Sequence, residues 1–332
     1  MKRLHRRSVL RILAAGTSAG LVARPAILRA ATYPSRGITL INPYPPGGYV
    51  DNIARAVTSP LSQKFNQPVT VIDTPGANGM LGHEYFLAQP SDGYTILADG
   101  VTFVYLNILL QHAPFKVTDF SMINLPARDY TLLATAAANA KLKTLNDVIS
   151  RLRHDSSSLS IGVQRSSSDY VNLVLMLRAA GIKTDNLRLV TFDGGGPTRT
   201  AVLGGVVDIG LTGAEGFLPI AEQVRPLLIF ASQRIPPFDA PAVTEVELGA
   251  PIDFVAGTLR GFAVSTRFKM QFPDRYATVV QAFKDVFTNP SVVKSLNAAQ
   301  LASTWYGPEA SQDVYLKTFE QMKQNVSLLQ HT

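Results

Sequence analysis

Residues 38–51 constrain the fold of this chain more than any other stretch. They read ITLINPYPPGGYVD, and the apolar residues Ile38, Leu40 and Ile41 predict a buried strand. The prolines that follow end the strand, because proline has no N–H group for a strand ladder. Gly47 and Gly48 then allow a sharp turn and a close approach of the backbone to a ligand. The stretch therefore predicts a strand that leads into a stiff loop.

A helix is predicted directly after this loop, because five apolar residues between positions 50 and 61 fall on one helical face. A strand that runs through a glycine loop into a helix presents unpaired N–H groups at the positive end of that helix. Such an arrangement binds anions readily. The alternative is a simple tight turn that binds nothing.

The composition indicates a folded globular protein without thiol chemistry. Of the 332 residues, 46% are apolar and 17% are charged, which excludes an intrinsically disordered chain. The length suffices for one large or two medium α/β domains. Because the chain contains no cysteine, disulfides, thiolate metal sites and cysteine nucleophiles are excluded.

The net charge of +7 lies entirely in the first 31 residues. This segment carries seven of the 31 Lys and Arg residues and no acidic residue. The remaining 24 basic residues equal the 24 Asp and Glu residues in number, so the rest of the chain is neutral. A nucleic-acid partner therefore has no electrostatic support, and we expect none.

The first 31 residues have the layout of an export signal. A basic segment that ends at Arg11 precedes twelve small and apolar residues, too few to span a bilayer, which takes about 20. Arg6 and Arg7, followed by an apolar pair and Arg11, resemble a twin-arginine signal. We therefore expect cleavage near residue 31 and a mature protein in the periplasm. The alternative is an amphipathic first helix of the folded domain.

The rest of the chain alternates strands and helices, which predicts an α/β fold with a parallel sheet. Strands are predicted at residues 68–73, 94–98, 131–138, 159–163, 188–192, 206–211 and 226–231. Ligands bind such sheets at the carboxyl ends of the strands. Two further loops lie at such ends, QRSSSD (164–169) and DGGGP (193–197). Ser168 or Asp169 is the expected N-cap of the helix after the first of them.

Several motifs together resemble the receptors of tripartite tricarboxylate transporters, often called Bug receptors. The motifs are YPS (33–35), PYPPGG (43–48), PGANG (75–79), PSDGYT (90–95), TDF (118–120), DGGGP (193–197), LGGVVD (203–208), PAVTE (241–245) and GPE (307–309). The resemblance covers essentially residues 33–320. Two loops depart from the family pattern, because QRSSS (164–168) stands where relatives are rich in glycine and DGVT (99–102) where they are rich in Ser and Thr.

The resemblance implies an α/β fold of the two-lobed periplasmic-binding-protein type (type II-like, Venus flytrap) with the ligand cleft between the lobes. We expect a first lobe of residues 32–130 and 255–332 and a second lobe of residues 131–254. The resemblance also implies a small organic carboxylate ligand, held largely by backbone N–H groups, and membrane permease subunits as partners. We expect a monomer that needs no cofactor.

The expected ligand-binding residues lie on the loops at the strand ends. They are Tyr44, Pro46, Gly47, Gly48, Tyr49, Asn78, Asp99, Thr102, Arg165, Ser166, Ser167, Ser168, Asp193 and Gly194. Arg165 either grips a carboxylate in a bidentate manner or forms a surface salt bridge. Tyr44 and Tyr49 either wall the pocket or pack between the lobes. Asp99 either meets an amino or hydroxyl group of the ligand or caps a turn.

We expect no enzyme activity and no metal site. The histidines are scattered without metal spacing, no Gly-x-Ser-x-Gly motif occurs, and the Gly-rich loops match neither a Walker nor a Rossmann pattern. The sequence favours a periplasmic receptor that captures an organic acid anion for a tripartite tricarboxylate-type transporter. A sensor that presents its ligand to a membrane signalling protein is the alternative. An exported hydrolase is a third hypothesis, which lacks an identifiable nucleophile–base pair.

Overall fold

A computed structural model describes residues 33–164, 167–192, 194–255 and 257–329 of the chain. The expected export signal at residues 1–31 lies outside the described residues, and so do three of the expected site residues, Arg165, Ser166 and Asp193. Within the described part of the chain, no helix is both long enough and apolar enough to cross a membrane.

The strands of the described residues form two five-stranded sheets, one in each lobe. In chain order they are β1 (Ile38–Asn42), β2 (Val69–Asp73), β3 (Thr95–Gly100), β4 (Phe120–Asp129), β5 (Thr131–Ala136), β6 (Ser160–Gln164), β7 (Arg188–Phe192), β8 (Ile209–Gly213), β9 (Val224–Ile229) and β10 (Thr258–Ser265). The first sheet has the order β2-β1-β3-β10-β4 and the second the order β7-β6-β8-β5-β9. In each sheet two pairs of neighbouring strands are parallel and two pairs are antiparallel, so both sheets are mixed.

Helices connect the parallel strands, as right-handed crossovers require. In chain order they are α1 (Tyr49–Phe65), α2 (Met80–Ala88), α3 (Thr102–Leu110), α4 (Leu145–His154), α5 (Ser168–Ala179), α6 (Gly195–Leu203), α7 (Thr266–Gln271), α8 (Pro273–Phe287), α9 (Pro290–Ala298), α10 (Gly307–Gln324) and α11 (Val326–Leu329). All five apolar residues of the predicted α1 face are buried, which confirms that prediction.

Helix α5 begins one residue earlier than the sequence suggests. The hydroxyl of Ser167 accepts a hydrogen bond from the backbone N–H of Tyr170 at 3.2 Å, so Ser167 is the N-cap. The prediction of Ser168 or Asp169 as the cap is therefore wrong. Both of these side chains are buried instead, because they begin a helix that packs on both sides.

The two lobes meet along α5 and along two segments where the chain passes between the sheets. Val171 and Val174 of α5 pack in the core of the first lobe, whereas Leu173 and Leu177 pack in the core of the second. Asn172 lies between these residues and is fully buried. Helix α5 therefore belongs to the junction of the lobes rather than to the surface of one.

The two passages between the sheets lie in direct backbone contact. The first links β4 to β5 after Asp129, and the second leads through Gly257 into β10. A Cβ atom at Gly257 would overlap the backbone carbonyl of Asp129, so only glycine fits. The side chain of Asn172 holds the second passage, since it accepts from the Val255 N–H at 2.8 Å and donates to the Val255 carbonyl at 3.0 Å.

These features confirm the predicted fold class, a two-lobed α/β protein. Strand β7 agrees with its prediction to the residue. Strand β8 starts at Ile209 rather than 206, because residues 204–208 still form the turn after α6, in which Gly205 has a φ of 65°. The expected lobe boundaries stay a prediction.

Candidate functional site

A cavity of about 140 Å³ lies between the two lobes, at the carboxyl ends of β6 and β8. The first sheet contributes residues from the end of β4 and the start of β10, and the second lobe contributes the rest. The lining residues are Asp129, Gln164, Asp169, Gly195, Gly196, Arg199, Thr212, Gly213, Thr258 and Arg260. Pockets for drug-sized ligands measure roughly 300–1,000 Å³, so this cavity suits a smaller molecule.

A larger groove of about 730 Å³ follows residues 243–252 of the second lobe and includes Arg153. Its described lining comes from that lobe alone, and it lies away from the strand ends that carry the glycine-rich loops. The cavity between the lobes is therefore the better candidate for a ligand site.

Arg260 is held by two carboxylates. Both of its terminal nitrogens lie 3.3 Å from Asp129 Oδ2, and one lies 3.6 Å from Glu215 Oε2. Asp129 also accepts from the Glu215 N–H at 3.0 Å through its other oxygen. A Cβ atom at Gly213 would overlap the Asp129 carboxylate, so the glycine makes room for this ion pair.

Burial and the neighbouring charges shift the pKa values of Glu215 and Arg260. The pKa of Glu215 is raised to about 7, mainly by burial and also by the neighbouring Asp129 carboxylate, while Arg260 acts to lower it. Burial lowers the pKa of Arg260, but Asp129 and Glu215 more than offset this, so its net pKa is raised. The charge of Arg260 is thus permanent and already balanced within the protein.

Arg199 is the second arginine of the cavity, and it has no such partner. Within the described residues, its guanidinium forms no hydrogen bond and no ion pair. It packs against the backbone of Gly195 and Gly216, where a Cβ atom would leave no space, and lies 5.8 Å from the centroid of the Phe217 ring. Burial lowers its pKa, and the Asp129 carboxylate partly offsets this. Arg199 is therefore a partly buried cation that forms no direct ion pair with a described residue, although the carboxylates of Asp129 and Asp169 act on it from a greater distance.

The N-terminus of α6 adds further positive potential beside Arg199. Its N-cap is Gly194, which has no side chain to accept from the first N–H groups, and Gly195 and Gly196 of the first turn line the cavity. Aligned peptide dipoles make such a terminus attractive to anions. Thr212 lines the same cavity at 2% exposure, and its hydroxyl has no hydrogen-bond partner among the described residues.

Asp169 adds a hydrogen-bond acceptor to the same cavity, in contrast to the donors of Arg199 and α6. This carboxylate is 4% exposed, and its Oδ1 accepts from the Thr131 hydroxyl at 2.6 Å. Thr131 in turn accepts from Asn172 Nδ2 at 3.0 Å, which connects Asp169 to the passage held by Asn172. Burial raises the pKa of Asp169 to about 6, although the Thr131 hydrogen bond lowers it.

The first-lobe loop that the sequence singled out is exposed and ordered by its own helix. Pro46, Gly47 and Gly48 are exposed, and the Gly47 N–H donates to Asp51 Oδ2 at 2.8 Å. The Tyr49 hydroxyl accepts from the N–H of residue 302 at 2.8 Å. The Arg260 guanidinium lies 4.8 Å from the centroid of the Tyr49 ring, so this tyrosine adjoins the cavity group.

Tyr44 and Asp99 form a hydrogen-bonded group inside the first lobe. The Tyr44 hydroxyl donates to Asp99 Oδ1 at 2.6 Å, and His83 Nε2 lies 2.9 Å from the same oxygen. Asp99 and His83 are fully buried, and Tyr44 stacks obliquely on Phe103 at 5.3 Å between centroids. Burial and the Asp99 carboxylate raise the pKa of Tyr44 well above its usual value.

The other expected residues are divided between surface and interior. Asn78 is exposed, with a φ of 52°, and its carbonyl accepts from Asn107 Nδ2 at 3.3 Å. Thr102 is buried, and its hydroxyl has no partner among the described residues. Contact of these side chains with a ligand stays a prediction.

The second-lobe loops flank the cavity, although the residues in its lining differ from those expected. Ser167 and Gly194 are helix caps, and Ser168 is buried. The described lining includes neighbours of the expected residues. Gln164 precedes the serines of the first loop, and Gly195 follows Gly194 in the DGGGP loop. Residues adjacent to both loops therefore line the cavity, and ligand contact by the expected residues stays a prediction.

Sequence reasoning missed Asp129, Arg199 and Arg260. Arg199 had a signal, since it lies one turn into the helix that DGGGP opens. Asp129 and Arg260 had none, because they are 131 positions apart in the chain and only the strand pairing brings them together.

The chain matches one family of receptors along most of its length. The model of the tripartite tricarboxylate transporter family receptor matches residues 53–331. BugT of Bordetella pertussis is 30% identical over 234 residues, which cover 68% of this chain and 70% of that protein. The range matched by the family model includes the crossing segments and all described residues of the cavity.

Solved structures share the architecture. A TctC solute binding protein from Polaromonas is similar with a TM-score of 0.72 at 22% identity, covering 89% of this chain and 99% of that chain. MatC from Rhodopseudomonas palustris, solved with bound malate, is similar with a TM-score of 0.67 at 21% identity, covering 89% and 100%. At these identities the likeness shows the two-lobed fold.

Proposed function

We propose that this chain, which belongs to the tripartite tricarboxylate transporter family of receptors, captures a small organic acid anion in the cavity between its lobes. The family is one of substrate-binding receptors rather than a class of enzymes. The bound malate of MatC supports an organic acid as the kind of ligand.

The observation that carries this proposal is the guanidinium of Arg199, which forms no hydrogen bond or ion pair with any described residue. A partly buried charge without a direct partner is unfavourable, whereas a carboxylate that accepts from a guanidinium forms a strong, charge-assisted pair. The α6 N-terminus and the Thr212 hydroxyl, which has no hydrogen-bond partner among the described residues, offer further donors on the same wall. A ligand carboxylate would therefore satisfy three groups that find no acceptor within the described part of the chain.

The first lobe supplies the other wall of the proposed site. The exposed glycine loop of residues 46–48 is the expected contact there, together with Tyr49, which already touches Arg260. A ligand that contacts both lobes favours the closed arrangement only by the interactions it gains there. The lobes are proposed to comprise residues 32–130 with 255–332, and residues 131–254.

The same proposal covers the cellular role. The leader of residues 1–31 exports the chain to the periplasm, and the loaded receptor, a monomer, delivers its ligand to membrane permease subunits. A receptor that presents its ligand to a signalling protein would use the same cavity, and the genes adjacent to this one distinguish a permease from a sensor kinase.

Isothermal titration calorimetry tests the site directly. Mono-, di- and aromatic carboxylates are screened against the purified protein, and the best ligand is then titrated into Arg199→Ala. We expect Kd to rise about 30-fold or more, because loss of one partner of a buried charge pair costs about 2–5 kcal/mol. Arg178→Ala, at an exposed arginine of α5, is the matched control and should leave Kd unchanged. A blank screen would refute the receptor proposal, and an unaffected Arg199→Ala would refute the assignment of the site.

A further inference from the structure

The two arginines of the cavity are not equivalent, and the difference limits what the cavity can hold. Arg260 is engaged directly by Asp129 and Glu215, whereas Arg199 forms no hydrogen bond or ion pair with any described residue and is influenced by Asp129 and Asp169 only from a greater distance. Among the described residues, the cavity therefore offers one cation that is not already in an ion pair. A ligand with two or three carboxylates would bring at least one that finds no such cation in the described lining.

The charges of the described lining support the same limit. Two guanidinium groups face two carboxylates, those of Asp129 and Asp169, so the lining is neutral before a ligand enters. A monocarboxylate adds one negative charge and a dicarboxylate adds two. In a partly desolvated cavity, each uncompensated charge costs more free energy than in water, because the effective dielectric constant is lower.

Asp169 presents an acceptor where a second carboxylate would need a donor. It is more than nine-tenths buried and lines the cavity, and within the described residues Thr131 is its only hydrogen-bond donor. An ionised carboxylate can accept up to about four hydrogen bonds. Its remaining capacity is suited to an N–H group of a ligand and repels a carboxylate.

Resting on the proposed function, we propose that the ligand is a small monocarboxylate with an N–H donor, an amide or an ammonium group, and that Asp169 selects it against dicarboxylates. Arg199 and the α6 N-terminus bind the carboxylate end, and Asp169 accepts from the N–H end. The selection acts partly by repulsion, which is how a binding site rejects a close analogue. The volume of about 140 Å³ keeps the ligand small.

Isosteric ligands provide the sharpest test. Succinamate and succinate have the same shape and differ only in an amide in place of a carboxylate. 4-Aminobutyrate supplies an ammonium group, malate is a second dicarboxylate, and butyrate lacks the second polar group. Each is titrated calorimetrically into the purified wild-type protein at neutral pH. We expect succinamate or 4-aminobutyrate to bind at least tenfold more tightly than succinate, malate and butyrate.

Asp169→Asn tests the residue as well as the class of ligand. The change keeps the size of the side chain and an oxygen that can accept from Thr131, but it removes the negative charge. We expect the ratio of the succinate Kd to the succinamate Kd to fall at least tenfold. A purely structural role would weaken both ligands alike and leave this ratio unchanged, and circular dichroism shows that the variant is folded.

The outcomes separate this inference from the receptor proposal. If succinate or malate binds wild type as tightly as succinamate or more tightly, the N–H-bearing class is wrong and the receptor proposal stands. An unchanged ratio in Asp169→Asn removes Asp169 from selection. If none of these five compounds binds while another dicarboxylate of the wider screen does, the class is again wrong. A screen without any ligand overturns both.

Discussion

The difference in stability between Asp169→Asn and wild type should change with pH. The variant should gain stability relative to wild type as the pH rises from acidic to neutral. The carboxylate is 4% exposed and receives one hydrogen bond, from Thr131. Burial is the main cause that raises its pKa, from 3.8 to about 6. Between about pH 4 and pH 6, the native fold therefore holds a proton on Asp169 that the unfolded chain has already released.

The sign and magnitude of the pH-dependent change in stability follow from the difference between the native and unfolded pKa values of Asp169. Between about pH 4 and pH 6 the native state binds more protons than the unfolded state, so the free energy of unfolding falls as the pH rises. The pKa differs by roughly 2 units at about 1.4 kcal/mol each, which gives about 3 kcal/mol. This stability is fully present below about pH 4 and is lost above about pH 6. Asparagine does not titrate, so the variant keeps a constant contribution.

Urea unfolding, followed by far-UV circular dichroism without ligand, measures the effect. The free energy of unfolding of Asp169→Asn minus that of wild type should grow by about 3 kcal/mol from pH 4 to pH 7. Asp239→Asn, at a fully exposed carboxylate, is the matched control and should show a constant difference. A difference for Asp169→Asn that stays flat across this range would show that Asp169 is hydrated in the native state, and the reasoning about its burial would be wrong.

Two further changes test the junction of the lobes and the interior of the first lobe. Gly257→Ala inserts a methyl group between the two crossing segments and should lower the free energy of unfolding by about 1–3 kcal/mol or more, whereas Gly196→Ala, which meets open space, should not. Equal urea midpoints for the two variants would contradict this. Tyr44→Phe removes the hydroxyl that donates to buried Asp99 and should cost about 1–3 kcal/mol in the same assay. Tyr85→Phe, at an exposed ring, is the control, and an equal loss in both would refute the importance of that hydrogen bond.

Local patterns predicted the elements whose side chains alternate simply between core and solvent. Strand β1, the loop after it and α1 follow from apolar spacing interrupted by proline and glycine. Strand β4 was missed because Asn124, Pro126 and Arg128 interrupt its apolar pattern. Asn124 is nevertheless fully buried, since it donates to the carbonyl of residue 304 and accepts from the N–H of Tyr306. Partners some 180 positions away in the chain satisfy it, and a local pattern does not contain them.

The candidate site likewise contains a part that the sequence predicts and a part that it does not. The loops were predictable, because glycine, serine and proline at strand ends have local reasons to be there. The charged residues were not, because the state of a guanidinium depends on which carboxylates the fold brings to it. Arg165 was expected to grip the ligand and stays a prediction. Arg199 and Arg260 became distinguishable only when the pairing of β4 with β10 placed Asp129 beside Arg260.

This pairing gives the two arginines different roles in the proposed binding site. Arg260 joins the first sheet to the second lobe, because its partners Asp129 and Glu215 come from both sides. A ligand that used Arg260 would have to replace those carboxylates, and most of the interaction energy would be exchanged rather than gained. Arg199 packs against second-lobe residues and has no ion pair to break among the described residues. In the proposed site, a ligand carboxylate would therefore pair with Arg199 of the second lobe without displacing another carboxylate, and contacts with the first lobe would then favour closure.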